Sequence, residues 1–294
     1  MIIVKLSGGL GNQMFQYAIG RKLSLKNKTI LKLDISDYQR ENNIRKYELG
    51  NFNIVENFAT EKEIAGIHKF NLPVGIRRID WEIQKWFPSL RRTFQEPRMT
   101  HFFPSVLRAT KGSHLTGWWQ SYKYFEDIRE ILVSDFTVKS FSEHGKKTDA
   151  LVNSGKMSVS LHIRRGDYVN IPDIELCSSH YYQNAIQYLE NKLGELELFV
   201  FSNDIKWSKQ NINFRGPIQF ITNNKDENAF EDLVLMSHCR HNIIANSTFS
   251  WWSAYLNQHR EKIIIYPGNW YTDKNRNEQL KDLIPPGWIR MESK

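Results

Sequence analysis

Between residues 158 and 267 the chain alternates between two periodicities. SVSLHI (158–163) precedes SHYYQNAIQYLENKL (179–193), and LELFVFS (196–202) precedes a short helical stretch at 205–211. PIQFIT (217–222) precedes NAFEDLVLMSHC (228–239), NIIAN (242–246) precedes TFSWWSAYLNQ (248–258), and KIIIYP (262–267) closes the series. Short, almost continuously apolar runs are strands buried on both faces, and such strands alternating with amphipathic helices build a parallel sheet. Five strands with intervening helices predict a doubly wound domain. The N-terminus repeats the theme: IIVKLS (2–7), a glycine-rich turn, the helical NQMFQYAIGRKLSLKN and TILKLD (29–34) make a βαβ unit.

Between these regions the pattern is weaker. Ile76, Ile79, Ile83, Phe87 and Leu90 share one helical face, ringed by Arg77, Arg78, Lys85, Arg91 and Arg92, and Pro88 should end that helix. Residues 138–156 are polar and read as a linker. The 294 residues therefore divide into an expected N-terminal α/β domain, 1–145, and a C-terminal Rossmann-like domain, 146–294.

The formal net charge of +8 favours anionic partners: nucleic acid, anionic lipid headgroups or phosphate-bearing substrates. The two cysteines, Cys177 and Cys239, form no CxxC pair and suit a reducing compartment. Met1 leads directly into a strand rather than a signal peptide, and no run of about 18 apolar residues occurs. A cytoplasmic protein is expected, in which the sequons at Asn27 and Asn246 are incidental. The basic stretch 76–92, with Trp81 and Trp86, allows peripheral contact with an anionic membrane; packing on its own domain is the competing reading.

Ligands of open α/β sheets bind at the carboxyl ends of the strands. There LHIRRGDY (161–168) ends a buried strand in two adjacent cations, Arg164 and Arg165, with Asp167 close by. Guanidinium forks match phosphate oxygens; a surface ion pair with Asp167 is the plainer alternative. NSTFSWW (246–252) opens a helix after a strand, with Ser247 or Thr248 as the cap. A helix start of this kind can hold phosphate, or can simply be capped with its aromatics packed inward. SGGLGNQMFQY (7–17) has glycines after a strand, but neither the G-x-G-x-x-G spacing nor a P-loop lysine. GWWQSYKYFED (117–127) reads either as a sugar-stacking surface or as a core strand entering a helix. Glu231 and Asp232 open an apolar helix, where acids suit the dipole. No D-x-D and no His/Cys cluster occurs, so no metal site is expected.

Taken together and in this order, GGLGNQMFQYA, HIRRGDY and NSTFSWW resemble the bacterial α-1,2-fucosyltransferases of glycosyltransferase family 11. The resemblance spans nearly the whole chain and includes GWWQSYKYF. It implies a GT-B-like fold of two Rossmann-like domains with the active site in the cleft between them. It also implies GDP-β-L-fucose as donor, inversion at the anomeric carbon, no cofactor and no metal. The acceptor would be a galactose-terminated oligosaccharide or a lipid-linked glycan such as an O-antigen unit. By resemblance, Arg164 and Arg165 hold the β-phosphate and His162 lies near the nucleotide. Asp232 matches a guanine-binding acid of more distant fucosyltransferases, while Ser247, Thr248 and Ser250 complete the phosphate cradle. Gly9, Asn12 and Gln13 would face the cleft from the first domain. Asp167 is the candidate general base, with orientation of the arginines as its competing role. Two alternatives remain open: another metal-independent nucleotide-sugar transferase of the same fold, and a polyanion-binding protein. Against the second, and against nucleic acid as a partner, the arginines sit at a strand end rather than along an exposed stripe.

Overall fold

The computed structural model describes residues 1–40, 44–68, 92–97, 100–154, 157–222 and 228–293. The chain forms two compact units, Met1–Phe136 with Gln279–Ile284, and Thr137–Glu278 with Pro285–Lys294. The amphipathic stretch 76–92 lies, but for Arg92, outside the described residues.

The first unit is built on four parallel strands, β1 (Ile2–Lys5), β2 (Leu31–Asp34), β3 (Thr93–Gln95) and β4 (Ser113–Thr116), in the order β2-β1-β4-β3. Val4 in β1 stands between Leu33 and Leu115, and all three are fully buried. Helix α1 (Leu10–Lys26) crosses this sheet at close range. A Cβ on Gly20 would lie 2.8 Å from Leu31 and 2.9 Å from Val4, so the helix can approach only because that position has no side chain. Tyr17 of α1 donates to Asp135 at 2.7 Å, as does Arg21 at 2.8 Å, which ties α1 to helix α3 (Arg129–Asp135). Helix α2 (Glu61–His68) and strands β3 and β4 had no clear sequence signature.

Strand β4 ends at Thr116, and residues 117–127 are turns and single 3₁₀ turns rather than a strand entering a helix. The reason is local: Gly117 and Trp119 both have positive φ, at 152° and 55°, which ends any β-ladder.

The second unit carries six parallel strands: β5 (Ser158–Ile163), β6 (Glu197–Ser202), β7 (Ile218–Ile221), β8 (His241–Ile243), β9 (Ile264–Pro267) and β10 (Ile289–Met291). Their order is β10-β9-β8-β5-β6-β7. Between them lie α5 (Ser179–Leu193), α6 (Ile205–Asn211), α7 (Ala229–His238), α8 (Thr248–Leu256) and α9 (Lys274–Glu278). The sixth strand, three residues after a proline-rich turn, escapes the sequence pattern because it is too short to show a period. Period-two geometry divides β5: Val159, Leu161 and Ile163 join Tyr181, Tyr182, Ile186 and Leu189 in one core. Ser158, Ser160 and His162 point to the other face, where Phe199, Phe201, Leu235 and Met236 pack.

The polar segment expected to be a linker contains helix α4 (Glu143–Val152). Its cap, Ser142, accepts from Gly145 N–H at 3.0 Å. Ser142 is itself gripped by the buried Glu231 of α7, which accepts its N–H at 2.7 Å and its hydroxyl at 2.8 Å. The sequence reads Glu231 as a dipole acid, but it docks one helix on another. Both cysteines are buried and free, and Asn246 is buried, so its sequon cannot carry a glycan. Glu231→Ala leaves two donors unsatisfied and should cost about 1–3 kcal/mol, measured as a fall in the urea midpoint at unchanged slope.

Candidate functional site

From β5 the chain winds outward through β6 and β7, then crosses back to β8 on the other flank and continues outward. The carboxyl ends of β5 and β8 therefore lie side by side at the reversal of strand order, where the splayed connections leave a crevice. Those two ends carry Arg164–Tyr168 and Ile244–Thr248. The segments meet directly: the Tyr168 phenol lies near the Ser247 side chain, and the His162 and Phe249 rings stand 5.6 Å apart.

The two arginines are held apart by separate partners. Arg164 donates to Asp167 Oδ2 at 2.7 Å and lies over the Tyr168 ring at 5.3 Å. Arg165 lies over the Trp207 ring at 4.2 Å, with its Nε 3.8 Å from Asp204. Each cation has a carboxylate and an aromatic face, which offsets the repulsion between neighbours in sequence. The Nε of both arginines is buried without a hydrogen-bond acceptor among the described residues. Guanidinium N–H groups left without a hydrogen-bond acceptor have donor capacity that would suit an anion.

A second layer fixes this loop. Asn203, at the end of β6, accepts Arg165 N–H at 2.9 Å and reaches Asp167 Oδ1 at 3.5 Å. Gly166 passes so close that a Cβ there would sit 2.4 Å from Asn203 Nδ2. Asn203, Asp204 and Trp207 were missed in the sequence, although the strand-end rule that singled out Arg164 applies equally to the neighbouring strand.

His162 is buried, and its imidazole is pushed down to about 3 by burial first and by the Arg164 charge second. It is a neutral ring at any ordinary pH. Ser247 caps α8, accepting Phe249 N–H at 3.3 Å. Thr248 follows, half-buried, in the first turn. Ser250 is fully buried and donates to the Ala245 carbonyl at 3.3 Å, so its hydroxyl braces the turn from beneath. Asn246 donates to the carbonyls of Glu175 and Trp270 at 2.7 and 3.0 Å, anchoring two loops beside the crevice. Asp232 lies in the first turn of α7, half-buried, on the carboxyl side of the sheet because every helix between parallel strands starts there.

In the first unit the glycine-rich turn follows β1. Gly8 has φ 75°, so it, rather than Gly9, is the position the backbone reserves for glycine. Gly9 is the N-cap of α1, and the space a Cβ would take there is open. Asn12 accepts from Gln120 at 2.9 Å. Gln13 is fully buried: it donates to the carbonyls of Gly8 and Lys46 and accepts from Glu48 N–H. Its amide is committed to the backbone, which corrects the expectation that it faces a cleft. Among the described residues no group of His, Cys, Asp or Glu is arranged to hold a metal ion.

A doubly wound unit with paired cations at its switch point offers donors of the kind that suit an anionic group. The sequence model for glycosyl transferase family 11 matches residues 1–292, and the chain belongs to that family. It is 33% identical over 301 residues to an α-1,2-colitosyltransferase of Escherichia coli, spanning 99% of each chain. It is 28% identical over 211 residues to galactoside α-(1,2)-fucosyltransferase 2 of Sus scrofa, covering 66% of this chain and 58% of that one. The fold matches a point mutant of Arabidopsis thaliana FUT1, solved in complex with GDP, at a TM-score of 0.54 and 9% identity, over 90% of this chain and 70% of that one. The two Rossmann-like units are those of the GT-B architecture, and the protein is a glycosyltransferase.

Asn203→Ala should lower turnover roughly 10- to 100-fold, because misplacing a positioned charge by an ångström has that scale of effect. Gly166→Ala should do the same by displacing Asn203. Melting temperature should stay near that of the unaltered protein in both, checked by calorimetry beside initial rates.

Proposed function

We propose that the protein transfers L-fucose from GDP-β-L-fucose to the 2-hydroxyl of a terminal galactose in a glycan, with inversion and without a metal. The observation that carries this reading is the pair of buried guanidinium Nε groups without a hydrogen-bond acceptor at the switch point, beside a helix start. They suit a diphosphate leaving group, and family membership turns a phosphate site into a sugar-nucleotide site.

In this mechanism the acceptor oxygen attacks C1 while the C1–O bond to GDP breaks. The bonding electrons stay on the β-phosphate oxygen, and the hydroxyl proton passes to a base or to solvent. Arg164 and Arg165 stabilise charge where it accumulates, together with the positive end of the α8 dipole. Ser247 and Thr248 shape that helix start, while Ser250 holds it rigid. His162, neutral, fills the floor near the nucleotide without adding charge. Asp232 takes the paired N–H donors of guanine. Gly9 and Asn12 serve the acceptor side. For Asp167 the orienting role is favoured over that of general base: both its oxygens already face Arg164 and Asn203.

A second reading has its own support, since the E. coli relative is named for colitose. Colitose is L-fucose without its 3-hydroxyl, so a fucosyl site differs in one hydrogen-bonded position, and sites that bond a hydroxyl reject its absence strongly. A donor panel of GDP-fucose, GDP-colitose, GDP-mannose and UDP-sugars, with linkage analysis of the product, should give an α1,2 product from GDP-fucose. Preference for GDP-colitose would replace the donor while leaving the phosphate site in place. Arg164→Ala and Arg165→Ala should each lower kcat by roughly 10²–10³-fold with the fold intact, the typical loss when one preorganised oxyanion donor is removed. Near-normal rates in both would overturn the assignment of the leaving-group site.

The net charge of +8 and the basic stretch 76–92 leave a peripheral membrane role to experiment. No helix among the described residues is long and apolar enough to cross a membrane. With a lipid-linked acceptor, the enzyme should work at the cytoplasmic face, and flotation with anionic liposomes tests the contact.

A further inference from the structure

The carboxyl edge of the first sheet presents an aromatic side chain that the donor chemistry does not use. Trp118 is 36% exposed, while Trp119, Trp251, Trp252 and Trp270 are each 5% exposed or less. Its neighbours in the turn have positive φ, Gly117 at 152° and Trp119 at 55°, and it is the buried Trp119 that takes the disfavoured conformation. A non-glycine residue in that region persists only where its surroundings enforce it.

The enforcing group is Glu96, just after β3. One carboxylate oxygen accepts both Trp118 N–H, at 2.6 Å, and Trp119 N–H, at 3.0 Å. The other, Oε1, is buried with no partner among the described residues. Burial pushes the Glu96 carboxyl up to about 7, against the opposing pull of those two N–H groups, so the clamp is held at an electrostatic cost. Gly117 must lack a side chain, because a Cβ there would fall 2.4 Å from Glu96 Cβ. Beneath the indole, the ring edge lies 3.0 Å from where a Cβ on Gly8 would stand. The Asn12–Gln120 amide pair adjoins it, with Asn12 Nδ2 2.7 Å from that same point.

An outward indole, fixed from behind and edged by carboxamides, has the chemistry of a pyranose subsite. The ring offers an apolar face to the C–H face of a sugar, and amides suit the hydroxyls around its rim. The same turn buries Trp119 against Tyr124 and leaves Trp118 outward, so packing accounts for one indole and not for the other. We infer that Trp118 is a stacking platform for the terminal pyranose of the acceptor glycan, and that Glu96 is the positioning residue that holds it out. This rests on the glycosyl-transfer reading and adds to it a residue for acceptor recognition.

The test separates acceptor from donor. Trp118→Ala should raise the acceptor KM by at least about tenfold, the loss expected of an aromatic anchor. GDP-fucose hydrolysis without acceptor should be unchanged, and Trp118→Tyr should restore most of the affinity. Glu96→Ala should raise acceptor KM similarly, while Glu96→Gln, which keeps an acceptor oxygen, should be milder. Saturation-transfer NMR with methyl β-D-galactopyranoside reads the same site without any donor: signal in the unaltered protein should vanish in Trp118→Ala. An acceptor KM within twofold of normal in Trp118→Ala, or an undiminished galactoside signal, would overturn the inference. Absence of GDP-fucose turnover in the unaltered protein, with the Trp118-dependent galactoside signal intact, would count against the donor reading alone.

Discussion

Two guanidinium groups on consecutive residues repel each other, and the second unit is organised around the way that repulsion is relieved. Arg164 turns to Asp167 and Tyr168 within its own loop, and Arg165 turns to Asp204 and Trp207 at the end of the next strand. The pair is thus splayed across the ends of two adjacent strands. Neither carboxylate satisfies the Nε of its arginine, so the site keeps positive charge and directed donors at once. A fully paired guanidinium would be a structural ion pair with little to offer a ligand; a wholly unpaired one would be too mobile to count as preorganised.

That arrangement depends on strand order. Reversal between β5 and β8 sets the loop after one strand beside the helix start after the other, so the Tyr168–Ser247 and His162–Phe249 contacts become possible between segments roughly 80 residues apart in sequence. Asn246 then locks the surrounding loops from below by spending its amide on two backbone carbonyls. Asn246, the first residue of the NSTFSWW motif, thus acts as a strut. Gln13 in the first unit does the same, so an amide within a conspicuous motif can belong to the scaffold.

The sequence made most of the second unit legible: the bounds of β5 and α5 agree with the structure to the residue, because those segments are strongly patterned, and a short helix was expected near where α6 stands. The first unit was legible only for its opening βαβ. Strands β3 and β4 are three and four residues long, too short for a period, and are ordered by partners far away in sequence. The turn after β4 misled for a different reason. An aromatic run such as GWWQSY has high strand propensity, and the positive φ at Gly117 and Trp119 that turns it is held by the Glu96 clamp, 22 residues upstream of Trp118. At the site, the paired arginines announced themselves, whereas Asn203, Asp204 and Trp207 did not, since their role is visible only once neighbouring strands are paired.

The placement of Asp167 bears on how the acceptor proton is lost. With one oxygen on Arg164 and the other toward Asn203, its basicity is engaged in holding the cation. Rotating it toward an acceptor would free Arg164 when charge develops on the phosphate, and the two demands conflict. If bond breaking runs ahead of bond making, as in an oxocarbenium-like state, the attacking hydroxyl becomes strongly acidic only late. In the proposed reaction a strong base would then be of less use than a fixed cation, and holding Asp167 on the arginine would favour departure of the leaving group. On this view the carboxylate beside the paired arginines acts through geometry, and the proton can leave through solvent or through the departing diphosphate itself.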